Sequence, residues 1–178
     1  MCARSRARII CFVNRARRTL REKKLTRPMP TTKIQTSRFG AVEIDALDLL
    51  SFPSGMLGLE DCEQWVLLAD AQNDALGWLQ STTHSDVALA VVSPRRFVHD
   101  YQVRVARSEL APLALESDRE AQVLAIVSSG PRGLTLNLKA PLVINRQRRL
   151  GRQVVTNGEQ PLQYELVPES TTSQKKSA

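Results

Sequence analysis

The sequence predicts an all-β domain, a small barrel-like or sandwich fold of about ten short strands with one or two short helical turns. Three observations predict it. Short apolar or alternating runs recur along most of the chain, with turn signals about every 8–12 residues. Only residues 106–122 are richer in helix formers and poor in β-branched side chains. No internal repeat is present.

Taken in order, residues 34–39 alternate apolar and polar side chains loosely, and Gly40 breaks the run. Val42-Glu43-Ile44-Asp45 then resumes with clean alternation, which together predicts a hairpin of two half-buried strands. Residues 49–52 form a third short run, stopped by Pro53. Further strands are predicted at 65–68, 77–80, 87–92, 123–127, 134–138, 142–145 and 152–155. Within 106–122, Ser108 and Ser117 are suited to cap short helical turns, and Pro112 limits their length. The polar residues 169–178 read as a disordered tail.

Charge divides the chain in the same way. The 178 residues carry a formal net charge of +7, yet residues 1–28 alone hold ten Lys or Arg and one acid. The body from 29 to 168 holds 13 basic and 16 acidic residues. Residues 1–30 are therefore read as a basic N-terminal appendage, 31–168 as the folded domain and 169–178 as the tail. Three readings of the appendage stay open: a nucleic-acid or lipid-binding arm, a transit-like peptide, or residues upstream of a true start at Met29. The last is favoured because Met29-Pro30-Thr31 leads directly into strand-like sequence. Within the body no Lys or Arg occurs between Arg38 and Arg95, a stretch holding nine acids. That stretch reads either as solvated strand and turn faces or as an acidic face for a basic protein. Lys139, Arg146, Arg148, Arg149 and Arg152 cluster later without an acid among them.

Composition and motifs speak against several functions. Cys62 is the one cysteine of the body, so it forms no internal disulfide, and one Cys with His84 and His99 makes no zinc pattern. No apolar run approaches the roughly 20 residues of a membrane span, so no membrane role and a cytoplasmic location are expected. No dinucleotide or P-loop motif is present. Gly55 and Gly58 precede Glu60 and Asp61, which would repel phosphate, so both glycines are expected to serve a tight loop with positive φ. Ser51, Ser54 and Ser128 lack a His-containing motif. No enzyme and no cofactor are expected. An alternative is a small β-barrel that binds nucleic acid through the basic N-terminal segment and the 139–152 cluster. Single-strand binders add aromatic platforms to such surfaces, and no aromatic residue lies in 139–152. Direct nucleic-acid binding by the body is therefore not expected. Trp65 and Trp78 are expected in the core.

Several motifs in order carry a resemblance. They are Thr36-Ser37-Arg38-Phe39-Gly40, then Leu50-Ser51-Phe52-Pro53-Ser54-Gly55-Met56-Leu57-Gly58-Leu59-Glu60-Asp61, then Trp78-Leu79-Gln80-Ser81 and the strand end from Val91 to Pro94. Asn137-Leu138-Lys139-Ala140-Pro141-Leu142-Val143-Ile144-Asn145 and Gly151-Arg152-Gln153-Val154-Val155 complete the set. From Thr36 to Val167 the chain resembles the flagellar assembly factor FliW family, departing from its loop pattern at Met56-Leu57 and at Leu59. The resemblance implies a cytoplasmic, non-enzymatic, barrel-like protein. It implies that flagellin is bound as a chaperone's client. It also implies that the RNA-binding translational repressor CsrA is antagonised, coupling flagellin level to flagellin translation. Inhibition by RNA mimicry and by allostery both fit. A monomer is expected.

The partner-binding residues expected are Phe52, Pro53, Gly55, Met56, Leu57, Gly58, Glu60, Asp61, Asn137, Pro141 and Asn145. The apolar pair Met56 and Leu57 flanked by acids suits an interface with a polar rim. Asn137 and Asn145 stand at strand positions where Asn is disfavoured. Holding loop backbone at the barrel end is the first reading for them and recognition the second. Pro141 is expected to open a strand or mark an edge.

Overall fold

The computed structural model describes residues 31–166 and the two-residue strand β1 (Arg8–Ile9). The rest of the appendage and residues 167–178 lie outside the described residues. Seven strands close a barrel. In chain order they are β4 (Leu49–Ser51), β5 (Gln64–Ala69), β6 (Leu76–Ser81), β7 (Ala88–Val92), β8 (Ala121–Gly130), β10 (Leu142–Asn145) and β11 (Leu150–Gln153). Each neighbour is antiparallel, except that β11 meets β4 in parallel to complete the ring. This junction is short. It pairs Leu150 with Ser51, and the Ser51 amide donates to Arg149 O at 2.8 Å. Strand β9 (Gly133–Leu136) pairs with the far half of β8, and β12 (Tyr164–Glu165) pairs with β9. β1 pairs with β5 at Leu68 and Ala69, beyond the end of β4.

The predicted hairpin is present as β2 (Thr31–Thr36) and β3 (Gly40–Asp45), and it forms a separate two-stranded sheet. Its buried Ile34, Val42 and Ile44 pack on Val66 and Leu68 of β5. Trp65 and Leu67 of the same strand point into the barrel. Residues 65–68 read as an unbroken apolar run because both faces of β5 are covered. Trp78, expected in the core, packs half-buried against the second core cluster, which lies between barrel and hairpin. The Arg38 guanidinium lies 3.7 Å above its ring, and its indole N–H donates to Asp70 Oδ2 at 3.0 Å. That bond, above all, holds the Asp70 carboxyl below the usual carboxylate range.

The barrel interior is filled by Phe52, Met56, Cys62, Trp65, Leu67, Leu79, Val91, Leu124, Leu142 and Ile144. Phe52 meets Trp65 edge-on, with centroids 6.4 Å apart. Gly151 makes room for this ring: a Cβ built there would lie 2.3 Å from Phe52 Cζ.

The helix-rich stretch yields one short helix, α1 (Arg107–Leu110), and 3-10 turns at Ala111–Leu113 and Asp118–Glu120. Its Leu113 closes the outer face of β10 against Val143 and Val154. The expected serine caps are corrected. Ala106 precedes α1, so Ser108 lies inside the helix, and Ser117 stands at a cap position without a side-chain bond. β9 ends before Asn137, because the Asn137 side chain turns the chain there.

Tyr101 is buried, and its hydroxyl donates to Leu138 O at 2.7 Å. Burial pushes its pKa up to about 12. A raised folded pKa means that this contribution to stability is intact below the unfolded value of about 10. It is lost as pH rises through the folded value. Urea midpoints are expected to fall between pH 10 and 12, and Tyr101→Phe to flatten that limb.

Candidate partner-binding site

Strand direction gathers three loops at one end of the barrel. They are 52–63 between β4 and β5, 82–87 between β6 and β7, and 137–141 between β9 and β10. In the first, Gly55 and Gly58 have φ of +62° and +78°, as the sequence predicts. Gly55 is doubly constrained, since a Cβ there would lie 2.5 Å from Glu60 Cα. Met56 and Leu59 exchange backbone bonds of 3.3 and 2.8 Å, which puts Leu57 and Gly58 at the tip of a tight turn. Glu60 Oε1 accepts the Gly58 amide at 2.9 Å, and this bond lowers the Glu60 pKa.

Gln153 ties the loops together. Its Oε1 accepts the Leu57 amide at 2.9 Å, and its Nε2 donates to Ala140 O at 3.1 Å. Asn137 Oδ1 accepts the Ala140 amide at 2.8 Å. Arg152 reaches Ser54 Oγ at 3.3 Å and Glu109 Oε2 at 3.1 Å. Sequence reasoning placed Gln153 in a family motif but gave it no role. A second missed residue is Gln80, which is fully buried. Its Nε2 lies 2.9–3.4 Å from the carbonyls of Ser81, His84, Ser85 and Val87, which shapes the 82–87 loop. The signal was an amide in an otherwise apolar strand.

The expected partner residues separate by burial. Pro53, Leu57, Gly58, Glu60 and Asp61 are exposed, and Leu57 is 69% exposed. Asn137 is half-buried. Phe52, Gly55, Met56 and Pro141 are buried. The pairing of Met56 with Leu57 as one apolar contact is corrected. Met56 points into the barrel core because the tight turn sends neighbouring side chains to opposite sides. Pro141 immediately precedes β10 and opens it.

Asn145 lies at the other barrel end and is fully buried. Its Oδ1 accepts the amides of Gln147 and Arg148 at 3.0 and 3.1 Å. Its Nδ2 donates to Leu113 O and Ala114 O at 2.9 and 3.2 Å. The first reading of both asparagines, holding loop backbone, matches these bonds.

The nine acids do not form one face. Glu60, Asp61, Glu63 and Asp86 stand in the loops at the Leu57 end, while Asp70 and Asp74 occupy the β5–β6 turn at the other end. Asp45 caps the turn Ala46–Asp48, with Asp48 bonded back to the Asp45 amide. The basic cluster, acid-free in sequence, meets acids in space: Arg148 faces Glu116 at 3.5 Å, and Arg152 faces Glu109. Lys139 donates to Gly158 O.

Cys62 Sγ lies 3.3 Å from His84 Nδ1, which also lies 3.0 Å from Thr83 Oγ1. This contact joins the 52–63 and 82–87 loops. Sequence distance concealed it. Among the described residues no group of three or more His, Cys, Asp or Glu is placed to hold a metal. Nor is any helix there long and apolar enough to cross a membrane.

Comparison with known proteins gives a consistent result. Residues 33–166 match the FliW protein family. The flagellar assembly factor FliW of Natranaerobius thermophilus is 33% identical over 126 residues, covering 69% of this chain and 83% of that protein. The FliW of Bdellovibrio bacteriovorus is 37% identical over 124 residues, covering 68% and 71%. A crystal structure of the flagellar assembly factor FliW superposes with a TM-score of 0.71 at 27% identity, covering 78% of this chain and 99% of that one. With a family match that spans nearly all the described residues and relatives above 30% identity, the chain belongs to the FliW family.

Proposed function

We propose that the chain is a non-catalytic flagellar assembly factor of the cytoplasm. It binds flagellin as a chaperone and antagonises CsrA, and the Leu57 end of the barrel is its contact surface. The observation that carries this reading is Leu57 itself. It is a large apolar side chain held out at the tip of a tight turn, bonded through its own amide to Gln153, with the exposed acids Glu60 and Asp61 following in the same loop. An apolar anchor within a polar rim is the usual anatomy of a protein interface. Nearby carboxylates steer a basic partner and raise its encounter rate.

The test uses the full chain with purified flagellin and purified CsrA. Both are expected to be captured. Leu57→Asp is expected to weaken capture of at least one about tenfold or more with the fold intact. Glu60→Lys with Asp61→Lys is expected to slow association and to flatten its dependence on salt. Capture of neither partner by the folded wild-type chain would overturn the reading. Unchanged binding by Leu57→Asp would move the surface elsewhere.

A further inference from the structure

We propose that the barrel end opposite Leu57 is a binding site for a linear aliphatic anion. A cavity of about 680 Å³ opens there between the β5–β6 turn, the segment after β7, the start of β8 and the β10–β11 turn. Small-molecule sites span about 300–1,000 Å³ and favour the mouths of β-barrels. The floor of the cavity is the barrel core itself, reached at Leu67, Val91 and Leu124.

The rim supplies the charge. Arg95 and Arg146 are exposed there, and neither makes an ion pair among the described residues. Arg96 stands 3.8 Å from Asp74, which offsets both, and Asp118 is the remaining acid among the described lining residues. The net excess is positive. A greasy floor beneath guanidinium groups suits an apolar tail that ends in a carboxylate or phosphate, bonded by arginine with charge assistance. Among the described residues no aromatic side chain lines the cavity to stack on a planar ring. An extended aliphatic chain meets this floor better than a nucleobase does. The chemistry is shared by a free fatty acid and by an anionic lipid.

Full-length protein, titrated under backbone-amide NMR, tests this. The probes are monomeric dodecanoate, dodecyltrimethylammonium with the same tail and reversed head charge, and phosphatidylglycerol vesicles. Saturable dodecanoate binding with shifts centred on Gly77, Val91 and Leu124 is expected, and none with the cation. Vesicle binding that shifts Gly77, Val91 and Leu124 and is weakened by Arg95→Glu with Arg146→Glu, without binding of monomeric dodecanoate, would assign the site to a lipid, whereas vesicle binding that leaves these amides unmoved belongs to the basic residues 1–28. Arg95→Glu with Arg146→Glu changes exposed residues only and is expected to weaken binding about tenfold or more. Ala75→Trp, placed in the mouth, is expected to abolish it. Should that variant fail to fold, the charge-reversed protein decides. The proposal is overturned by failure of both anions to shift the cavity amides, by equal binding of the cation there, or by unchanged affinity at those amides after charge reversal. None of these outcomes depends on whether flagellin or CsrA binds the other end.

Discussion

Gly151→Ala is expected to lower the unfolding free energy by about 3 kcal/mol or more, at the upper end of what overpacking a core costs. The new methyl carbon would stand 2.3, 2.4 and 2.6 Å from three carbons of the Phe52 ring. The ring has no escape. It is fully buried, edge-on to Trp65, and Trp65 is itself fixed by a 2.7 Å bond to Cys62 O. Gly151 needs no special φ, so crowding and not backbone strain is the cause. This yields a discriminating control. Phe52→Leu alone is expected to destabilise, whereas Phe52→Leu with Gly151→Ala is expected to recover part of the loss, with a coupling of about 1–3 kcal/mol. Urea titration of the four proteins measures it. Additive losses, or a Gly151→Ala protein with the wild-type midpoint, would contradict the packing.

Asn145→Ala is expected to cost about 2 kcal/mol by the same measurement, because it strands one buried and several partly buried backbone groups at both ends of one amide. The carbonyls of Leu113 and Ala114 lose a donor, and the amides of Gln147 and Arg148 lose an acceptor. Asn145→Asp separates the two halves. An aspartate keeps the acceptor for the turn amides but points its second oxygen at two carbonyls that stand 2.9 and 3.2 Å from that atom's position. It is therefore expected to be at least as damaging as alanine near neutral pH and less so in acid, where protonation supplies the missing donor. A variant no less stable than wild type would remove Asn145 from its structural role.

Much of the barrel was legible because its strands are local events. Turn residues and alternation announce β2 and β3, and short apolar runs announce β5 to β8. Features that depend on residues far apart in sequence were not legible. Nothing local says that β4 joins β11 in parallel, or that the β2–β3 hairpin covers a barrel whose inside is already filled. β12 is two residues in a polar stretch, too short for a periodicity to show. In the candidate site, the glycine turns and the exposed acids were readable, since positive φ and charge are properties of single residues. The split between Met56 and Leu57 was not, because a one-residue change of side in a tight turn leaves no mark in composition. Gln153 belongs to one of the family motifs, yet its sequence neighbours carry no sign of its role. Its partners lie at residues 57 and 140, and only the closed barrel brings them within reach.

The short β4–β11 junction bears on how the chain reaches this state. Its two sides, Ser51 and Leu150, are about a hundred positions apart, and the ring cannot exist until both are present. Non-local pairings of this kind make folding slow, on the order of milliseconds to seconds, because loop-closure entropy is lost before the contact forms. During synthesis at about 5–20 residues per second, the β4–β7 meander waits several seconds for β11 to emerge. Through that interval β4 has an unpaired edge, and Phe52 lacks the Gly151 wall that encloses it. Until that seam closes, the newborn chain keeps a strand edge and part of its core open to solvent, so the last residues of the barrel to emerge set the moment at which the fold is sealed.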